Sequence, residues 1–259
     1  MPSQFTHLHF HTHYSLLDGA IKVKGLGKYL AEIGYYSCAI TDHGNLHGAV
    51  EFHDDLKKAG VKPIIGMEAY VAKIDRFQRS YPRQGPNAYH TVLICENMDG
   101  YKNLIKISSI GFSEGKYYGK PRIDHEILEK YSSGLIVLSA CLQGEVANRI
   151  LNDEISEAYN AARWYADVFP DRYYIELQEN GLEKQAQVNP QLMKIAEELH
   201  LPLVGTCDCH YKSKTDAENQ YILQLMGWQK KVTDPDVKTL DTQELYIRSE
   251  TEISEAFSN

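Results

Sequence analysis

The sequence predicts an α/β fold organised around a parallel sheet. Short apolar runs alternate with stretches of helical spacing almost from end to end, and the connections between them are short. Parallel strands need this arrangement, because each must be carried back to its starting edge by a crossover, usually a helix. About seven strand–helix units can be counted. Two architectures remain open, a closed β/α barrel and an open doubly wound sheet. No glycine-rich phosphate loop follows the first strand, which weakens the nucleotide-binding doubly wound option.

The first strand is read over 5–12, FTHLHFHT, with His7, His9, His11 and then His13 at every second position. Strand alternation would place these imidazoles on one face. VKGLGKYLAEIGY (23–35) has helical spacing, SCAIT (37–41) is a short buried strand, and LHGAVEFHDDLKKAG (46–60) is an amphipathic helix closed by Gly60. A strand over 62–72 precedes a polar loop over 73–88 that contains Pro and Gly. A strand (89–96) and a helix (100–112) come next. Further strands are read at 134–140, 172–178 and 201–208. Helices are read at 143–151, 154–168, 185–200 (with Pro190 inside) and 215–227. From Lys230 the chain turns polar, and TEISEAFSN reads as the start of a helix. The expected organisation is a barrel domain over 1–230 and an extension over 231–259.

Composition excludes several classes. The 259 residues contain no apolar run long enough for a membrane helix and no basic-then-apolar leader. Five cysteines without framework spacing fit a reducing cytoplasm. A net charge of −8 argues against a nucleic-acid-coating surface, which is normally basic. It leaves room for a phosphate substrate if bound metal supplies the positive charge.

Metal-capable side chains recur at strand ends: His9 and His11, Asp42-His43, Glu68, His90, Cys141, and Asp208 with His210. Asp18 lies in the loop after the first strand. In a β/α barrel these ends converge on one face, so residues some 200 positions apart would share a pocket. Imidazole, carboxylate and thiolate together suit Zn, Mn or Fe better than Mg or Ca. A carboxylate such as Glu68 can also bridge two ions. Three divalent ions would bring roughly +6, against about −4 from Asp18, Glu68, Asp208 and a Cys141 thiolate, leaving a positive pocket on an acidic protein. Asp42 is expected to orient His43 or another ligand. Cys207 and Cys209 flank Asp208 and are expected to pack away from it, and His47, His53, His125 and His200 to be surface or packing residues. The segment KYYGKPR, with Lys116, Lys120 and Arg122, suits either a nucleic-acid backbone contact or a plain structural loop.

HFHTHYSLLDG, AITDHGNLHGAVEF, KPIIGMEAYVA, GKPRIDHEILEKYSSGLIVLSACLQGEV, YYIELQENGLEKQ and TCDCHY resemble the PHP (polymerase and histidinol phosphatase) domain of bacterial replicative polymerase alpha subunits. The resemblance runs from about residue 4 to 250. It implies a distorted (β/α)7 TIM-like barrel with a multinuclear metal site at the C-terminal strand ends. It also implies three divalent ions. His9, His11, Glu68 and Asp208 would hold one; Glu68, His90 and Cys141 a second; Asp18, His43 and His210 a third. Glu68, Asp208 and His43 would be the catalytic residues, and His7 and His13 fall outside the ligand set. Related phosphatases often have His where this chain has Asp18 and Cys141.

Three functions are therefore expected from this sequence. The leading one is metal-dependent hydrolysis of DNA 3′ ends, a 3′–5′ exonuclease of proofreading type. It would work beside the rest of a polymerase alpha subunit, with other replisome subunits as further partners. The alternatives are a non-catalytic metal-stabilised module of the polymerase, and a phosphatase or pyrophosphatase acting on small molecules.

Overall fold

The computed structural model describes residues 5–80, 87–237 and 240–258. Positions 81–86 of the expected 73–88 loop, and positions 238, 239 and 259 of the expected extension, lie outside them. The chain is a mixed α/β fold around a central sheet. In order it runs α1 (Leu26–Glu32), β1 (Ser37–Ile40), α2 (Ala49–Lys58), β2 (Lys62–Ala72), β3 (Ala88–Cys95), α3 (Met98–Ser113), β4 (Lys116–Tyr117) and β5 (Lys120–Ile123). Then follow α4 (His125–Lys130), β6 (Leu135–Leu138), α5 (Glu145–Leu151), α6 (Ile155–Val168), β7 (Tyr173–Gln178), α7 (Glu183–Leu199), β8 (Leu203–Thr206), α8 (Ala217–Gly227) and α9 (Glu250–Ala256).

The sheet order is β4-β5-β2-β3-β6-β7-β8, with β1 on β2. Pairings β1–β2, β2–β5, β6–β7 and β7–β8 are parallel. The expectation of a wholly parallel sheet fails at β3, which is antiparallel to both β2 and β6. The cause is local: among the described residues no crossover helix lies between β2 and β3, and the chain returns on its neighbour. A second addition is the β4–β5 hairpin, whose Tyr118-Gly119 turn has φ of 45° and 81°. Two successive positive φ values match the twist of a tight hairpin.

The segment over 5–12 is also not a regular strand. It makes isolated bridges, His7 to Cys38, Phe10 to Cys209 and Thr12 to Ile21. A bend at His9 breaks the alternation, so the histidines do not share one face. His7 packs at 4.9 Å ring-to-ring from Tyr35 and His9 at 5.1 Å from His11.

Alternation elsewhere sorts the sheet into two surfaces. Met67, Ala69, Val71, Tyr89, Leu93, Leu135, Val137, Tyr173 and Ile175 face the main core, where α3 and α5–α7 pack. The even-numbered positions face the other way, where Val92, Ile94, Leu138 and Ala140 form a small inner cluster. A third cluster joins Phe10, Leu26, Leu30, Cys38, Ile40, Phe52, Cys207 and Cys209 to Ile247 and Ile253. The residues beyond 230 therefore pack on the same body. The helix expected in TEISEAFSN is α9, started by a reciprocal Ser249–Glu252 capping box. All five cysteines are free, and no helix among the described residues is long and apolar enough to cross a membrane.

Candidate metal centre

The inner face of the sheet becomes polar at one end. Even-numbered positions deliver Glu68 and Tyr70 from β2 and, across the register, His90 opposite Tyr70 from β3. Because β3 is antiparallel, His90 comes from near its N-terminal end, whereas the parallel strands contribute C-terminal ends. This corrects the picture of a site made from C-terminal ends alone.

Nine side chains meet there. His43 follows β1 and is bridged to Glu68 through the backbone. Its Nδ1 lies 2.5 Å from Glu68 Oε2 and its Nε2 3.0 Å from Asp18 Oδ2. His90 Nδ1 lies 2.8 Å from Glu68 Oε1. Cys141 Sγ is 3.9 Å from both Glu68 Oε1 and His90 Nδ1. His210 Nε2 is 3.3 Å from Asp18 Oδ2. His9 Nε2 lies 3.3 Å from Glu68 Oε1 and 3.2 Å from Asp208 Oδ1, and His11 Nε2 also lies 3.2 Å from Asp208 Oδ1. Three triads have donor atoms all within 4.8 Å of one another: His9, His11 and Asp208; His43, Glu68 and His90; His11, His43 and His210.

Several of these atoms are buried yet lack a hydrogen-bond partner among the described residues: Nε2 of His9, His11 and His90, and Oδ1 of Asp208. A buried polar atom left unpaired is costly and calls for a reason. Here Nε2 of His9 and Nε2 of His11 each stand 3.2 Å from Asp208 Oδ1, the spacing of ligands that each stand about 2 Å from a shared ion. The donor set fits divalent metal.

The imidazoles are aimed by what holds their other nitrogens. His9 Nδ1 donates to Glu176 Oε1 at 2.7 Å. That carboxylate is fully buried and also accepts from Gln178 and Thr206. His11 Nδ1 donates to Ser15 Oγ at 3.0 Å, and Ser15 donates to Asp42 at 2.6 Å. His210 Nδ1 donates to the Asp208 carbonyl at 2.7 Å. Each bond leaves Nε2 as the nitrogen that the ring turns to the cup. Asp18 Oδ1 accepts from Gln220 and Gln224 of α8, both at 2.9 Å. Asp208 and Ala140, the latter beside Cys141, have φ of 51° and 64°. Non-glycine residues in this region are uncommon and cluster where a site over-determines the backbone.

Charge in the cup is balanced by protons. Burial opposes a charge on His43, yet Glu68 and Asp18 raise its pKa to about 10. Burial, with the neighbouring His43 and His210, lowers that of His11 to about 3. Despite their burial, Asp18, Glu68 and Asp208 are held well below the usual carboxylate range by the imidazoles around them. Burial, together with Glu68, pushes the Cys141 thiol up.

The family model for the PHP domain matches residues 7–180 of the 259. The chain belongs to the PHP domain family. Among its relatives, the DNA polymerase III subunit alpha of Borreliella burgdorferi is 43% identical over 257 residues, 99% of this chain and 22% of that one. The Campylobacter jejuni subunit is 41% identical over 268 residues, with the same shares of 99% and 22%. The chain thus spans about a fifth of these relatives. A solved protein of Bifidobacterium adolescentis described as a metal-dependent phosphoesterase superposes at TM-score 0.49. It is 15% identical, with 81% of this chain and 88% of that one covered.

In this PHP domain, all nine residues expected as ligands lie in the cup. Asp42 lies beside it, acting on His11 through Ser15. Cys207 and Cys209 are buried and pack in the third cluster. Of the expected nucleic-acid contacts, Lys116 is exposed and Lys120 half-buried. Arg122 is overturned: it is fully buried, its guanidinium donates to the carbonyls of Gly115 and Gln78, and it lies over the Tyr117 ring. A side chain spent on those two backbone carbonyls ties β5 to the segment around Gln78 and is not free to meet DNA. Sequence reading missed Glu176, Ser15, Gln220 and Gln224. Only Glu176 carried a signal, a carboxylate at an inner position of the apolar run YYIELQ.

Proposed function

We propose that this PHP domain is a metal-dependent phosphoesterase that hydrolyses DNA at 3′ ends, as a 3′–5′ exonuclease of proofreading type. It would work in the cytoplasm beside the rest of a polymerase alpha subunit and its replisome partners. The observation that carries the reading is the convergence of nine donors, from the N-terminal segment to the chain after β8, with buried Nε2 atoms left unpaired. His9, His11, Glu68 and Asp208 would hold one ion, Glu68, His90 and Cys141 a second, and Asp18, His43 and His210 a third, of Zn, Mn or Fe. Bound ions would supply Lewis acidity and acidify a water in the cup. Glu68 would be shared by two of the ions, and Asp208 would fix His9 and His11 at a common distance. His43, at the mouth with 17% of its side chain exposed, would act in catalysis by holding its ion beside the leaving oxygen. Lys116 and Lys120 would face the DNA backbone. The bridges from His7 and Phe10 support closing β1, β2, β3 and β6–β8 with the N-terminal segment into a distorted seven-stranded barrel. The domain would span 1–230, with 231–259 as its extension.

The test is to incubate the metal-loaded protein, and the same protein stripped by chelator, with 3′-mismatched duplex DNA. Release of 3′ nucleotides by the loaded protein alone is expected. Intact DNA, with histidinol phosphate or pyrophosphate cleaved instead, assigns a small-molecule phosphatase; no hydrolysis at all overturns the reading. The burial of Glu68 and Asp208 in one cup favours a second reading, in which ions only staple the fold. A large drop in melting temperature for Asp208→Asn, with no wild-type hydrolysis to lose, would establish that reading.

A further inference from the structure

We propose that Lys120 is the residue that binds a phosphoryl oxygen of the substrate, with Tyr70 as its platform. The inference rests on the phosphoesterase reading above.

The argument begins with register. On the parallel β2–β5 pair, Tyr70 lies opposite Arg122. Lys120 stands two residues before Arg122, as Glu68 stands two before Tyr70. Glu68 itself is bridged to His43, and alternation gives Lys120 the Tyr70 side of the sheet. Its ammonium lies 4.7 Å from the centroid of the Tyr70 ring. That ring is stacked at 6.1 Å on His43 and meets His90 edge-on at 5.1 Å. Gly44, directly after His43, keeps the ring in place. It has φ of +63°, and a Cβ there would come within 3.0 Å of Tyr70 and 2.7 Å of Pro121.

Lys120 differs from the two ion-paired arginines nearby. Arg76 is held by Glu114, Asp124 and Glu126, and Arg149 by Glu145 and Glu154. Lys120 is half-buried, and its ammonium makes no hydrogen bond or ion pair with any described residue. Burial lowers its pKa while Glu68 and Cys141 pull it back up. A partly desolvated ammonium beside a metal-capable cup suits a phosphoryl oxygen: charge-assisted donors to phosphate are the strong ones, and lysine binds phosphate as a point charge. The aromatic platform reduces the ways in which the long side chain can move away.

The experiment uses the 259-residue protein loaded with Mn or Zn and titrated with inorganic phosphate by calorimetry, with bound metal counted by elemental analysis. Lys120→Met keeps the stem and removes the charge, and Lys120→Arg restores a cation. The expected result is phosphate affinity at least about tenfold weaker in Lys120→Met, in line with the loss of a charged hydrogen bond. Lys120→Arg should recover part of the affinity, and the metal content of all three proteins should be equal. In turnover, KM should rise more than kcat falls. Unchanged phosphate affinity in Lys120→Met overturns the proposal, as does loss of metal together with affinity, which would make Lys120 a structural residue. Wild-type protein that binds phosphate in a Lys120-dependent way yet hydrolyses nothing would leave this assignment standing and remove the phosphoesterase one.

Discussion

The two ends of the sheet's inner face are built from the same strands and behave in opposite ways. At one end β2, β3 and β7 present Glu68, His90 and Glu176; at the other they present Ile64, Ile94 and Tyr174. The second end is an open apolar cavity of about 770 Å³ lined also by Leu8, Ile136, Leu138 and Val204. Within four residues of a strand the environment passes from hydrocarbon to a cluster of titratable groups. Outer-face packing is continuous past both ends. The fold is therefore stabilised from outside the sheet, which frees the inner face to hold costly, unpaired polar atoms where chemistry needs them.

The largest expected effect separates the two ends. Glu68→Gln removes the carboxylate that touches both His43 and His90, and elemental analysis should show at least one ion fewer per chain. An unchanged metal count would mean that Glu68 is only an internal counter-ion. The next effect is smaller and reaches the cup from beneath. Glu176→Gln keeps the shape but loses the charge that aims His9, and metal affinity should fall about 10–100-fold in a competition titration with a chelator. Equal affinity would show that the buried carboxylate serves packing alone.

Protonation provides a third comparison. His43 is raised to about 10 in the folded protein, against about 6.5 when unfolded. Its contribution to the chelator-stripped protein is thus fully present below about pH 6.5 and is lost as pH rises through 10. Melting temperature with chelator should fall from pH 7 to 10. Added metal should reverse the trend, because ions replace protons on the same nitrogens. Parallel pH profiles with and without metal would refute the shared site.

On the outer face, Leu93→Ala deletes a fully buried core side chain and should cost about 2–5 kcal/mol in denaturant unfolding with the metal count unaltered. The smallest effect belongs to the apolar cavity. Val204→Leu adds a methylene to open space and should change stability by no more than about 0.5 kcal/mol, again with full metal content. A loss of metal in either variant would mean that the two ends are coupled.

Much of this was legible in the sequence. The strand over 62–72 was located to the residue, because an apolar run bounded by turn signals has few other readings. The nine candidate ligands were found because their types are rare together at strand ends, and folding brings all nine into one cup. The direction of β3 was not legible, since a strand carries no mark of its polarity relative to its neighbour. The β4–β5 hairpin is too short for periodicity to register. Arg122 was misplaced because composition cannot tell a cation meant for solvent from one spent on nearby carbonyls. Ser15 and the α8 glutamines escaped because their role lies in contacts across up to 206 positions of chain.

Those two glutamines give the cup an uneven wiring. One oxygen of Asp18 is tied to a helix that begins at residue 217, while the Glu68 corner is complete by Cys141. Replacing both glutamines would slacken a single corner and spare the rest. A partner tugging on the helix could do the same reversibly, like a dimmer on one lamp of three.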